Sequence, residues 1–269
     1  MRLPDWLIYL LVFIAIVSGV FRANEDADAP PAPPDIEGGA PLPAESPFDP
    51  EVYVEAGPAA PGTGTAFAVA PDGVWLSARH VVDGCGRVGV AVNEREAVAA
   101  QVTIARDADV AILRTQGGPD GLSLDLQDAD MAVGEAGFHI GFPQGRPGEV
   151  ASRLMGRERL ITTGRRQGEE PVLVWAEIGR TRGLRGSLGG LSGGPAFDAR
   201  GQVVGVTIAE EPRRGKIYTA APSAVARFIG RAKLTPRGEP AEGIDARRYG
   251  RAGDELRRSL QVAQVICLP

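Results

Sequence analysis

Three short segments carry residue types that together could cleave an acyl bond: His80 in WLSARHVVDG, Asp109 in RDADVAILR and Ser192 in GGLSGGPAFD. A serine hydroxyl is a weak nucleophile at neutral pH. It needs a base within hydrogen-bond reach, and that base needs a carboxylate to set its tautomer and stabilise the imidazolium. The oxyanion that develops needs backbone N–H groups at a tight turn. Gly190, Gly193 and Gly194 give Ser192 that kind of turn. The chain has only two histidines, His80 and His139, so any imidazole base is one of them. His139 lies in GFHIGFP, an alternating apolar run with no acid–serine constellation around it. That pattern points to a structural role, with a place in a substrate pocket as the second reading.

The elements that must position these residues are mostly strands. From about residue 51, short β-rich runs such as TAFAVA, GVWLSA, RVGVAV, PVLVWAEIG and QVVGVTIAE alternate with Gly, Pro and Asp turns. This is the texture of a sandwich or barrel. Helical periodicity is absent until SAVARFIGRAKL, which reads as a short helix capped by Ser223. Residues 231–269 are polar and Arg-rich until they close on VAQVICLP.

Taken singly, each motif has a bland reading: a core histidine, a turn aspartate, a loop serine. Chain order separates the alternatives. Gly190-Leu191-Ser192-Gly193-Gly194 satisfies the nucleophile elbow of α/β-hydrolases, but those run Ser, acid, His, and no His follows Ser192. The subtilisin order would need an Asp before His80, and the candidate, Asp72, sits in a Pro-Asp-Gly turn. The order His, Asp, Ser in an all-β chain fits the chymotrypsin arrangement.

On these residues the sequence resembles the trypsin-like serine peptidases, in the bacterial branch that includes the periplasmic heat-shock proteases. Gly62-Thr63-Gly64-Thr65-Ala66-Phe67 is similar to the family's opening strand, Leu76 to Val82 to its catalytic His motif and Asp109 to Leu113 to its Asp motif. Val133 to Pro143 is similar to the segment opening the second barrel, and Gly190 to Pro195 to the nucleophile motif. The resemblance spans about residues 60–230 and implies two antiparallel six-stranded barrels with the site in the cleft between them. It implies a catalytic triad of His80, Asp109 and Ser192, an oxyanion hole from the N–H groups of Gly190 and Ser192, and a substrate-pocket wall at Thr207, Ile208 and Ala209. The implied activity is an endopeptidase working through an acyl-enzyme, needing no metal or organic cofactor. The alternative is a catalytically silent domain of this fold serving as an anchored binding or sensor module. Leu191 departs from the aspartate of the digestive members, so activation by a freshly cut N-terminus is excluded. The tail after residue 230 is too short for a PDZ domain. With no carboxylate at an obvious pocket base, no preference for Lys or Arg is expected.

The N-terminal region differs in character. Residues 6–21 (WLIYLLVFIAIVSGVF) carry no charge. As a helix they would reach about 24 Å, short of a hydrocarbon core of about 30 Å. The expectation is a membrane anchor or signal segment over residues 1–22, with the bulk of the chain in the periplasm. Residues 23–51 form an acidic, Pro-rich linker predicted to be an extended tether. Residues 52–232 are the expected peptidase domain, closing on the short C-terminal helix that begins at Ser223, and 233–269 an extension packing back on it. The net charge of −5 comes from the linker, so the folded part is nearly neutral and no nucleic-acid partner is expected; the partners are a peptide or protein substrate and the membrane. The two cysteines, Cys85 and Cys267, cannot make a Cys-ligated zinc cluster. An even count in an oxidising compartment predicts a Cys85–Cys267 disulfide.

Overall fold

A computed structural model describes residues 29–33, 39–57, 61–93 and 95–268. In chain order the elements are β1 (Glu51–Ala56), β2 (Gly62–Ala70), β3 (Val74–Ser77), α1 (Arg79–Val82), β4 (Arg87–Ala91), β5 (Ala97–Ala99), β6 (Gln101–Ile104), β7 (Ala111–Arg114) and β8 (Gly121–Leu122). There follow β9 (Ala136–Gly141), β10 (Gly148–Gly164), β11 (Gly168–Arg180), β12 (Pro195–Phe197), β13 (Val203–Glu211), β14 (Lys216–Ala220), α2 (Pro222–Arg231), β15 (Gly238–Glu239), α3 (Tyr249–Arg258) and β16 (Val262–Leu268).

Strands β9, β10, β11, β14, β13 and β12 pair in a ring, because β9 bonds both β12 and β10. This second barrel has the six antiparallel strands expected of it, and β1 adds to its β10 edge in parallel. The first sheet differs from the expectation. It has seven strands in the order β5-β4-β16-β2-β3-β7-β6. The extra member is β16, which lies between β2 and β4 with Val262 opposite Phe67 and Cys267 opposite both Gly62 and Val88. The C-terminal segment is therefore a strand within the sheet. The tail also carries α3, a second helix beside the expected α2.

Alternation explains the packing. In β4 the buried residues Val88 and Val90 alternate with partly or fully exposed ones, as a one-sided strand requires. Strands β3 and β9 are buried throughout, and their apolar runs fill the space between the sheets. Helix α2 begins at Pro222, whose fixed φ suits the first helical position. Ser223 does not cap it; its hydroxyl faces Glu45 at 3.3 Å.

The Pro-rich segment follows the domain surface where it is described. Leu42 is buried beside Met131 and Leu188. The carbonyls of Pro30, Pro33 and Pro43 accept from Tyr249, Arg153 and Arg157. Among the described residues no helix is long and apolar enough to cross a membrane; the apolar run 6–21 lies outside them.

Candidate active site

His80 is in α1, a single turn that follows β3 directly. Asp109 lies in the β6–β7 connection, and its carboxylate turns back onto that turn. Asp109 Oδ1 accepts the His80 backbone N–H at 2.8 Å, and Oδ2 lies 2.6 Å from His80 Nδ1. An ionised carboxylate can only accept, so the proton sits on Nδ1 and Nε2 is the ring's basic nitrogen. Burial by itself would lower the His80 pKa; the charge of Asp109 and its hydrogen bond outweigh burial and hold it above the ordinary 6.5. Burial works against the Asp109 carboxylate too, but His80 and then Arg166 hold its pKa below the ordinary value. Asp107, the neighbouring acid, pairs on the surface with Arg231.

Ser192 is half-buried on the turn before β12. Gly190 and Gly193 have φ of +97° and +88°, a region costly for any side chain. A Cβ on Gly193 would also collide with the Thr65 carbonyl and the Ser77 hydroxyl. The first sheet holds this turn from the other side. Thr65 N–H donates to the Ser192 carbonyl at 2.8 Å, and the Thr65 hydroxyl donates to the Gly190 carbonyl at 2.7 Å. Among the described residues, neither the Gly190 nor the Ser192 N–H donates to a protein acceptor. Both are available to an incoming oxyanion. Leu191 is buried with Leu188 and Trp175, so apolar packing anchors the turn where digestive members use an ion pair. His80 and Ser192 are not joined by a hydrogen bond.

Two cavities meet at Ala209 and Glu210. A cleft of about 470 Å³ is lined by His80, Asp109, Arg166, Ile208 and, from the N-terminal strand, Val54 to Gly57. A pocket of about 70 Å³ adjoins Ser192, between Leu188, Leu191, Thr207 and Ile217. Thus the expected pocket wall divides: Thr207 faces the small pocket, Ile208 the cleft, and Ala209 both. Contrary to the sequence expectation, an acid is present. Glu210 lines the small pocket, with Oε1 accepting from Leu188 N–H at 2.7 Å and from the Ser187 hydroxyl at 2.5 Å, while Oε2 is buried without a hydrogen-bond partner.

His139 is fully buried and its pKa is pushed down to about 3 by that burial. The Ser152 hydroxyl donates to the Gly137 carbonyl at 3.1 Å, so His139 Nε2–H donates to Ser152 at 2.8 Å. Its Nδ1 accepts from Thr207 at 3.1 Å. This neutral imidazole is a barrel strut. Cys85 and Cys267 are bonded, with Cα atoms 5.5 Å apart, and Cys267 reaches the His80 cleft. Sequence reasoning missed Thr65, Arg166, Glu170 and Glu210. Thr65 and Glu210 lay within quoted runs, but the groups they and the other two engage come from loops distant in the chain.

A closed six-stranded β-barrel against a second sheet, with a His–Asp pair in a cleft that shares Ala209 and Glu210 with the pocket at a glycine-flanked serine, defines a two-sheet fold of the serine-peptidase kind. Residues 64–206 match the trypsin-like peptidase domain, and the chain belongs to that family. The sequence matches no curated protein significantly. Among solved structures it is similar to the active form of the Rv3671c protease of Mycobacterium tuberculosis at 17% identity and a TM-score of 0.51, covering 76% of this chain and 96% of that one. The inactive form of Rv3671c gives 23% identity and a TM-score of 0.50 over 62% of this chain and 82% of that one. The HtrA-type protease AlgW with a decapeptide gives 19% and 0.50, over 63% of this chain and 50% of that one. At these identities the likeness is one of fold.

Proposed function

We propose that the chain is a serine endopeptidase, with Ser192 as nucleophile, His80 as general base and Asp109 as the acid that orients it. The observation that carries this reading is the 2.6 Å contact between His80 Nδ1 and Asp109 Oδ2 in a cleft that adjoins the Ser192 turn. In the reaction, Ser192 Oγ attacks the scissile carbonyl and its proton passes to His80 Nε2. The N–H groups of Gly190 and Ser192 stabilise the oxyanion. His80 returns the proton to the leaving amine, and water then hydrolyses the acyl-enzyme. An HtrA-type relative holding a decapeptide supports a peptide as the substrate here. Residues 6–21 would anchor the chain in the bacterial inner membrane with the catalytic domain in the periplasm, where the disulfide is at home.

A silent domain is the second reading, favoured by the missing His80–Ser192 hydrogen bond, although such bonds often tighten only when substrate binds. A fluorophosphonate probe separates the two. The peptidase reading expects labelling of the full-length chain that disappears in Ser192→Ala and falls sharply in His80→Ala. Absence of labelling in the unmodified chain would favour the silent domain.

A further inference from the structure

Two charged residues of the second barrel reach across to the acid of the first sheet. Arg166 is at the tip of the β10–β11 hairpin, and Glu170 lies just behind it in β11. Asp109 Oδ1, which already accepts the His80 N–H, stands 3.3 Å from Arg166 Nη1. The Asp109 backbone N–H donates to Glu170 Oε2 at 2.8 Å, in a site where Glu170 is only 2% exposed. Glu170 Oε1 accepts no hydrogen bond, and Arg166 Nη2 stands 3.5 Å from it. The hairpin tip therefore holds the aspartate at both ends, by its carboxylate and by its backbone.

We propose that Arg166 and Glu170 are positioning residues for the Asp109–His80 pair: Glu170 fixes the Asp109 backbone, and Arg166 shares the carboxylate's charge so that His80 feels only part of it. A carboxylate whose sole charged neighbour is an imidazole lends its whole field to that ring. A guanidinium on the carboxylate's other oxygen, Oδ1, opposes it. The other charged groups facing this cleft are Glu55 on β1, Asp83 after α1, Arg165 beside the hairpin tip and Glu210 on β13. They are common to every variant below and leave the comparison intact. A clamp that merely tied the two sheets together would not move the titration of His80.

The test reads His80 directly and does not depend on turnover. With two histidines in the chain, the His80 ring resonance can be followed by NMR in the full-length protein and assigned by its loss in His80→Ala. Arg166→Met should shift the His80 titration midpoint upward by about one pH unit, and Arg166→Lys should return it most of the way. An unchanged or lower midpoint in Arg166→Met overturns the role of Arg166. For Glu170, the downfield Nδ1 proton of His80 should persist in Glu170→Gln, whose amide oxygen can still accept the Asp109 N–H, and should broaden in Glu170→Ala. A resonance identical in both overturns the role of Glu170. The positioning proposal rests on the peptidase reading only for its consequence in turnover. A chain that fails to cleave while its His80 midpoint moves as stated would sink the peptidase reading and leave this one standing.

Discussion

His80 carries its proton on Nδ1 against Asp109, so the proposed role as general base needs Nε2 bare and the ring neutral. Because the Asp109 contact holds the His80 pKa above 6.5 against the pull of burial, kcat/KM on a peptide should climb with pH and reach half its plateau above that value. A profile flat between pH 5 and 8, with chemistry limiting, would rule out a histidine base. Removing any one of Ser192, His80 or Asp109 should lower kcat by about 10⁴-fold or more, and the His80→Ala/Ser192→Ala double variant should be no slower than either single one. Asp107→Asn should leave turnover within about two-fold, since Asp107 is engaged by Arg231 on the surface. Full activity in Asp109→Ala would reassign the acid. The His80–Asp109 contact was legible because the chemistry proposed for it demands three residue types in a fixed chain order. Arg166 and Glu170 were not, because RRQGEEP reads as a polar turn until the hairpin is seen to reach Asp109.

At the scale of elements, α3 is fastened to the second barrel by a buried ionic cluster. Arg257 pairs with both Glu149 and Asp254, and the Thr181 hydroxyl donates to Glu149 Oε2 at 2.9 Å. Gly253 leaves the room Glu149 needs; a Cβ there would collide with its carboxylate. Burial pushes the Glu149 pKa up to about 7 against the opposing pull of Arg257, and burial followed by the Asp109 charge pushes Glu170 up to about 8. The folded state thus holds protons that the unfolded chain releases from about 4.5 upward. Their contribution is present in full below 4.5 and is lost as pH rises through 7 to 8. The raised pKa of His80 acts in the same direction. The lowered pKa of Asp109 matters only below its ordinary 3.8. His139, held down at about 3, acts the other way below 6.5 and offsets part of the gain at pH 5, but the two raised carboxyls outweigh it. Urea midpoints should therefore be higher at pH 5 than at pH 8, with a shallower dependence in Glu149→Gln. Arg257→Ala, which takes the guanidinium away from two buried carboxyl groups, should cost about 3–5 kcal/mol at neutral pH. The strands and α2 were legible from alternation and turn residues. The docking of the Pro-rich segment was not: composition argues for a solvated chain. Its proline carbonyls nevertheless find Arg and Tyr donors, and Leu42 finds a buried niche.

Across the whole molecule, the Cys85–Cys267 bond closes a loop of 182 residues. Chain-entropy arguments put its contribution at about 5 kcal/mol. The denaturation midpoint should fall markedly when the protein is unfolded in the presence of reductant, with no change in the strand content of the native state. A midpoint that does not move would show that β16 is held by its ladder alone. The pairing could be anticipated from the even count and the expected compartment, but not the placement of its carrier. VAQVICLP reads only as an apolar segment; that it is a strand between β2 and β4 depends on partners far away in the chain, and no local pattern encodes them.

That placement sets a clock on the molecule. Strand β16 runs between β2, which pairs with the strand leading into the His80 turn, and β4, which follows that turn. At the ordinary pace of synthesis, about 5–20 residues per second, some ten to forty seconds separate the emergence of β2 from that of β16. Throughout that interval the first sheet lacks an interior strand, and the cleft lacks the Cys267 part of its wall. A nascent chain would carry its nucleophile segment before the sheet bearing His80 is complete. Moving the β16 segment ahead of β2 by circular permutation should abolish the delay, giving labelling by a fluorophosphonate while the chain is still attached to the ribosome.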